Sequence, residues 1–297
     1  MKHPLSALLG PVAILLVACG PQSPPAADRS ARPSAEAEGA GAFDAAVERL
    51  ATRLEQSPDD PSLRRNYAAT LMAAGRVDEA LTQYESILER EPTDVDARYL
   101  QGRALIEAGR LDAARRSYEM VLEVAPDHAP ARFALASLLQ RQGDFEGALA
   151  GFRELLARDP DYERAHVGEA ACLMRLERWT EARASIKAGL EAVPISTALA
   201  ELGARLLAAA PAAEVRDGRQ ALGLAEKLVR LNSSFQRQEI LAMALAELGR
   251  FEEAVEAQER ALEGARTAGA AATRVARMES ILSGYRRSEP SREPLVD

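Results

Sequence analysis

Five side chains stand out in any search for metal ligands or strong nucleophiles in this sequence: His3, His128 and His166, and Cys19 and Cys172. No two of them have the close pairing, roughly two to four residues apart, that holds zinc. The chain carries no glycine-rich phosphate loop, no G-x-S-x-G elbow and no H-E-x-x-H helix. Its 45 Asp and Glu are scattered along its length, which reads as a solvated surface and not as a paired-carboxylate site. The expectation is a protein with no catalytic residues, no metal site, no cofactor and no small-molecule substrate. Of 37 Lys and Arg, only Lys2, Lys187 and Lys227 are lysine. Almost all positive charge therefore sits on guanidinium, whose fork matches a carboxylate through two parallel hydrogen bonds. The chemistry on offer is recognition of acidic groups. A net charge of −8 argues against nucleic acid, because a phosphate backbone needs a basic face.

The elements that must position those arginines are helical. Aromatic residues make up only 4% of the chain, while Ala, Leu, Glu and Arg, all strong helix formers, dominate. Prolines stand at Pro58, Pro92, Pro126, Pro160 and Pro194, each 34 residues from the last. In the same frame run Ala46, Ala80, Ala114, Ala148 and Ala182. Four residues on come Leu50, Tyr84, Tyr118, Phe152 and Ile186, and eight on come Leu54, Leu88, Leu122, Leu156 and Leu190. Such a stripe belongs to one helix face, with the alanine admitting a neighbouring helix closely. Each proline ends a unit because it lacks an N–H and clashes with the preceding turn. Gly75, Gly109 and Gly143 precede this helix, where a left-handed residue ends the one before it. Val77, Leu111, Phe145 and Trp179 are expected to plug the turn, and Asp78, Asp112 and Asp144 to favour the helix N-terminus.

The period and the late Ala, aromatic and Pro positions resemble the tetratricopeptide repeat. The resemblance implies an all-α fold, a right-handed superhelix of about six helical hairpins plus capping helices, over residues 42–286. The expected repeats are 61–94, 95–128, 129–162, 163–196, 197–234 and 235–268, flanked by a cap helix at 42–57 and another at 270–286. First helices carry the small position at Ala68, Gly102, Ala136 and Ala170, but the early Trp of the pattern is replaced by Arg64, Arg98, Arg132 and His166. The frame breaks once. Ala254 lies two periods and four residues beyond Ala182, which places an insertion between Ala208 and Gly218, around Pro211, and Asn232 takes the place of the proline. Val275, Met278, Ile281, Leu282 and Tyr285 follow helical spacing in the closing cap. Residues 287–297 have no periodicity and are expected to be a disordered tail. Cys172 falls in the first helix of the fourth repeat and reads as a buried small hydrophobe.

In the resembled family the first helices line a concave groove. Carried over position by position, that groove is Arg65, Tyr99, Arg103, Glu107, Phe133, Ser137, Arg141, Val167, Arg175, Glu201 and Arg205. The resemblance thus implies a protein or peptide partner bearing acidic side chains or a free carboxylate, with Arg103 and Arg141 on the carboxylates and Tyr99 and Phe133 on apolar groups. The carboxylate-clamp subset of the family does not fit, since Arg65 stands where its first Lys would be and Ala69 replaces its Asn.

The first forty residues read as an address. Lys2 and His3 precede an apolar run from Leu5 to Val17, shorter than the roughly 30 Å hydrocarbon core requires of a spanning helix. Leu16-Val17-Ala18-Cys19 resembles the bacterial lipobox, which implies a signal peptide at 1–18, lipidation of Cys19 and a membrane tether through its acyl chains. Residues 19–41, rich in Pro, Ala and Ser, read as a disordered linker. Gly20 at the next position implies an outer-membrane lipoprotein facing the periplasm. The expected function is a lipid-anchored scaffold of the cell envelope, of the kind that organises secretion or pilus complexes; the alternative is an accessory subunit for cytochrome maturation, exopolysaccharide export or peptidoglycan synthesis.

Overall fold

A computed structural model describes residues 35–293, so the signal segment, Cys19 and most of the linker lie outside the described residues. Helix α1 (Ala35–Gln56) leads into the pairs α2 (Pro61–Ala73) with α3 (Val77–Arg90) and α4 (Val95–Glu107) with α5 (Leu111–Val124). The next pairs are α6 (Ala129–Gln142) with α7 (Phe145–Arg158) and α8 (Glu163–Arg175) with α9 (Trp179–Ala192). Then come α10 (Thr197–Ala209) with α11 (Gly218–Leu231), α12 (Phe235–Glu247) with α13 (Phe251–Thr267), and the closing α14 (Ala272–Arg286). Every helix packs on its neighbours in the chain, and the first helices α6, α8, α10 and α12 also touch one another in succession. The fold is all-helical, six hairpins between two single helices, and consistent with the expected superhelix.

The alanine column is the tightest part of the packing: Ala80, Ala114, Ala148, Ala182 and Ala254 are all 0% exposed. The large apolar column follows it inside, with Tyr84, Tyr118, Phe152 and Ile186 buried. The leucine column does so less well. Leu88 is buried, but Leu122, Leu156 and Leu190 are only half-buried, and Ile87, Val121 and Leu155, one residue earlier, face the core. At about 3.6 residues per turn a position seven residues on returns nearer to the alanine's face than one eight residues on. Val77, Leu111, Phe145 and Trp179 each open a second helix and pack against the core. Asp144 caps α7, accepting from Gly147 N at 2.9 Å, whereas Asp78 sits inside α3 and accepts from Arg110 at 2.9 Å.

The arginine and histidine column that replaces the early Trp has a physical reason. Arg64, Arg98 and Arg132 reach back to the carbonyls of Pro58, Pro92 and Pro126 at 2.7, 2.8 and 2.5 Å. His166, through Nε2–H, reaches Pro160 at 2.8 Å. Each bond satisfies a carbonyl of the inter-repeat turn that no helix can pair. Between hairpin helices Gly75, Gly109, Gly143 and Gly249 have φ of +72° to +84°, and in the fourth repeat Glu177 is forced to φ +56° in the same role.

Two boundaries differ from the sequence reading. Helix α1 begins at Ala35, inside the stretch assigned to the linker, because Ala35-Glu36-Ala37-Glu38 are strong helix formers. The insertion lies where expected and runs over residues 210–217, with a short 3-10 turn at Ala213–Val215 and Asp217 capping α11 by accepting from Gln220 N. Residues 287–293 of the supposed free tail return to the body: Arg292 meets Glu247 at 2.5 Å and Arg277 meets Glu293 at 2.9 Å.

Close helix approach is testable at Gly102, where an added Cβ would stand 2.6 Å from Cε1 of the fully buried Tyr118 ring. Overpacking of this kind costs about 1–3 kcal/mol, more than the roughly 1 kcal/mol that alanine gains over glycine within a helix. Gly102→Ala is therefore expected to lower the thermal midpoint followed by circular dichroism. Glu177→Gly should raise it, by relief of about 1 kcal/mol of left-handed strain; opposite signs would contradict the packing described.

Candidate functional site

Tyr99 and Arg103 lie one turn apart on α4, and Phe133, Ser137 and Arg141 follow at the same spacing on α6, so each set shares one helix face. The two faces meet in a cleft of about 690 Å³, completed by Tyr162 and Arg164 at the start of α8. Its floor is a chain of rings. Tyr99 packs at 5.9 Å from Tyr118 and 5.1 Å from His128, whose Nδ1 caps α6 by accepting from Ala131 N at 3.0 Å. Phe133 lies 5.8 Å from Phe152 and stacks on Tyr162 at 5.7 Å. The guanidinium of Arg164 sits over the Phe133 ring, 4.1 Å from its centre. Burial pushes the Tyr162 and Tyr118 hydroxyls above their ordinary pKa; Tyr162 lines the cleft, whereas Tyr118 lies wholly beneath it.

The charge of this cleft is one-sided. Arg103 and Arg141 are exposed and make no ion pair among the described residues, and no Asp or Glu lines the cleft. A second hollow of about 360 Å³ continues from it past Gln140 and Val167 toward Ala198, sharing Phe133, Ser137 and Arg164. Six of the expected groove residues, Tyr99, Arg103, Phe133, Ser137, Arg141 and Val167, thus line one continuous trough.

The remaining expected residues are placed elsewhere. Arg65 is held by Asp94 and Asp96 at 3.3 and 2.9 Å, carboxylates at the N-cap and in the first turn of α4. Arg175 is exposed in the last turn of α8 and lines neither hollow. Arg205 is not a groove residue: its side chain is 11% exposed and faces Glu239 at 3.5 Å, which also binds Arg274 at 3.1 Å. Burial lowers the Arg205 pKa while Glu239 opposes the shift. Glu201 is likewise taken, by Arg237 at 2.8 Å. Two residues were missed: Tyr162 precedes α8, and Arg164 stands three residues before Val167 on the same helix face. The signal for them was the aromatic-then-arginine pair at the start of a first helix.

Other chemical candidates are inert. Cys172 is fully buried, and burial pushes its thiol up to about 12, so it packs as a small apolar side chain. His166 is buried and spent on the Pro160 carbonyl. Among the described residues no group of His, Cys, Asp and Glu is arranged to hold a metal ion, and no helix is long and apolar enough to cross a membrane.

Comparison with known proteins agrees with this geometry. The tetratricopeptide repeat pattern matches residues 37–104, 71–139, 105–150 and 139–206, and again residues 238–265. No curated protein matches the chain. Solved structures do. The C-terminal part of a repeat-containing protein from Cytophaga hutchinsonii superposes with a TM-score of 0.61 at 16% identity, over 76% of this chain and 92% of that one. A tetratricopeptide repeat protein from Parabacteroides merdae gives 0.57 at 17% identity, over 82% and 93%. MamA from Desulfovibrio magneticus gives 0.52 at 20% identity, over 58% and 95%. At these identities the likeness is one of fold alone.

Stability should separate the two kinds of arginine. Glu239→Gln leaves the largely buried guanidinium of Arg205 and the half-buried one of Arg274 without their carboxylate and is expected to cost about 3–5 kcal/mol in chemical denaturation. Arg103→Ala and Arg141→Ala should each stay within about 0.5 kcal/mol of the parent. A large loss at Arg103 or Arg141 would show them to be structural.

Proposed function

We propose, from the premise that the chain belongs to the tetratricopeptide repeat family, that it is a lipid-anchored scaffold of a bacterial envelope whose first-helix trough holds an acidic segment of a partner protein. Proteins of this repeat family act as interaction scaffolds, and a protein partner follows from membership. The finer reading rests on one observation above all: Arg103, Arg141 and Arg164 line the α4–α6 cleft over an aromatic floor with no carboxylate in that cleft, the single lining carboxylate of the trough being Glu163 in the adjoining hollow, on a chain of net charge −8. Unpaired guanidiniums beside half-buried rings suit a segment that alternates carboxylates with apolar side chains, or one that ends in a free carboxylate. The lipobox-like Leu16-Val17-Ala18-Cys19 supports the anchor, and Gly20 supports an outer-membrane, periplasm-facing position. A tethered solenoid of this kind would recruit or organise a secretion- or pilus-type complex.

Recovery of the partner from cross-linked envelopes tests the trough. Arg103→Glu with Arg141→Glu should abolish it, by tenfold or more, at an unchanged thermal midpoint, and raised salt should weaken the parent's capture; full recovery by the double variant would reject the trough as the binding face. The anchor is tested separately. Cys19→Ser should move the protein from the membrane fraction to the soluble one, and its persistence with membranes would remove the lipid claim.

A further inference from the structure

The register break in the fifth repeat is accompanied by a second cleft, built from second helices where the arginine trough is built from first helices. It lies between α9 and α11 with α10 as its floor, an open groove of about 550 Å³, a size typical of small-molecule sites. Ile186, Leu190, Leu206, Leu207 and Leu224 make it apolar. Lining residues run from Arg183 to Glu191 on α9 and from Gln220 to Lys227 on α11, two helical turns or roughly 11 Å at about 1.5 Å per residue.

Two features here have no explanation in packing. Gly223 stands in the middle of α11, and a Cβ built on it meets nothing within 4 Å. Glycine in a helix interior costs stability relative to alanine, so the fold would be better served by a side chain that the cleft would lose room to. The second feature is the pair of lysines. Lys187 on α9 and Lys227 on α11 are the only lysines among the described residues, and they stand one on each wall of this cleft. Lys227 makes no ion pair among the described residues. Lys187 meets Glu191 only loosely, at 3.8 Å, with side chains 78% and 70% exposed. Arg183, at the other end, is committed to the carbonyls of Glu214 and Val215 in the insertion, at 3.2 and 3.3 Å. Lysine is a compact charge on a flexible stem, able to follow a headgroup that has no fixed orientation, where arginine imposes a planar fork.

We propose that this cleft binds a single-chain anionic amphiphile, its acyl chain lying along Ile186, Leu206 and Leu224 past Gly223 and its carboxylate held between Lys187 and Lys227. Of the lining residues Lys187, Glu191, Gln220 and Lys227 are exposed, while Ile186, Leu206 and Leu207 are buried. An open groove with an apolar base and exposed charges on both walls suits a single chain with a charged head. A partner helix would instead need apolar surface at the rim.

The test is isothermal titration of the full chain with dodecanoate below its micellar range, with Trp179, one turn before Arg183, as a fluorescence reporter. Saturable one-site binding is expected, with dodecanol binding at least tenfold more weakly and acetate not at all. Gly223→Leu fills the slot and should raise the thermal midpoint while weakening dodecanoate at least tenfold. Lys187→Gln with Lys227→Gln should weaken dodecanoate about tenfold and leave dodecanol unchanged. Arg103→Glu with Arg141→Glu should change neither ligand, which keeps this site distinct from the trough. Absence of saturable binding, or binding indifferent to both the glycine and the lysine variants, overturns the proposal. So does preferential, lysine-dependent binding of an acidic amphipathic peptide in place of dodecanoate.

Discussion

Helices in this array close on one another through large side chains seated where the facing helix has almost none. The Tyr118 ring occupies the space a Cβ would need at Gly102, and the Phe152 ring does the same at Gly168. Alanines that are wholly inaccessible, from Ala80 to Ala182, complete the approach. Because no hairpin can bury such a face alone, each unit requires the next in register, and the 34-residue period is the sequence trace of that requirement. The trough is a by-product of the same geometry. Once one face of α4 and α6 is fixed in the core, residues a turn apart on the other face, Tyr99 with Arg103 and Phe133 with Ser137 and Arg141, must point to the same side.

Arginine does three different jobs in this chain, and residue type alone does not tell them apart. In Arg64, Arg98 and Arg132 it ties the turn between repeats to the following helix through a proline carbonyl. In Arg65 and Arg205 it joins one first helix to carboxylates at the cap or in the opening turns of the next first helix. In Arg103 and Arg141 it is left facing solvent beside aromatic rings. The fold was legible in the sequence because prolines, alanines and rings recur at a fixed period. The site was legible in part. Tyr99, Arg103, Phe133, Ser137 and Arg141 come together as the family pattern implies, but the fates of Arg65 and Arg205 depend on Asp94, Asp96 and Glu239, about one repeat away. No helix-face argument confined to a single repeat brings those partners in. Tyr162 escaped notice because it belongs to the entry of α8 and not to the counted face, whereas Arg164 shares the face of Val167 and was passed over.

The insertion shows how the array tolerates a register error. Residues 210–217 lengthen the turn inside one hairpin, so that α10 and α11 keep ordinary lengths of 13 and 14 residues. The extra loop is fastened from two sides. Arg183 of α9 holds its carbonyls, and Arg216 meets Glu247 at 2.9 Å. Glu247 also receives Arg292 from the C-terminal segment, so one largely buried carboxylate joins the insertion, the end of α12 and the returning chain end. Lack of periodicity in residues 287–293 concealed this, since a segment held by two arginine pairs needs no pattern.

The most direct measurement of the central claim is site-specific photocrosslinking in living cells with a photoreactive amino acid at Ser137, between Arg103 and Arg141 in the trough. The account predicts a discrete crosslinked protein at Ser137, identified by mass spectrometry at an acidic segment, and none from the same probe at Glu256 on the exposed side of α13. A crosslink at Glu256 with none at Ser137 would contradict it.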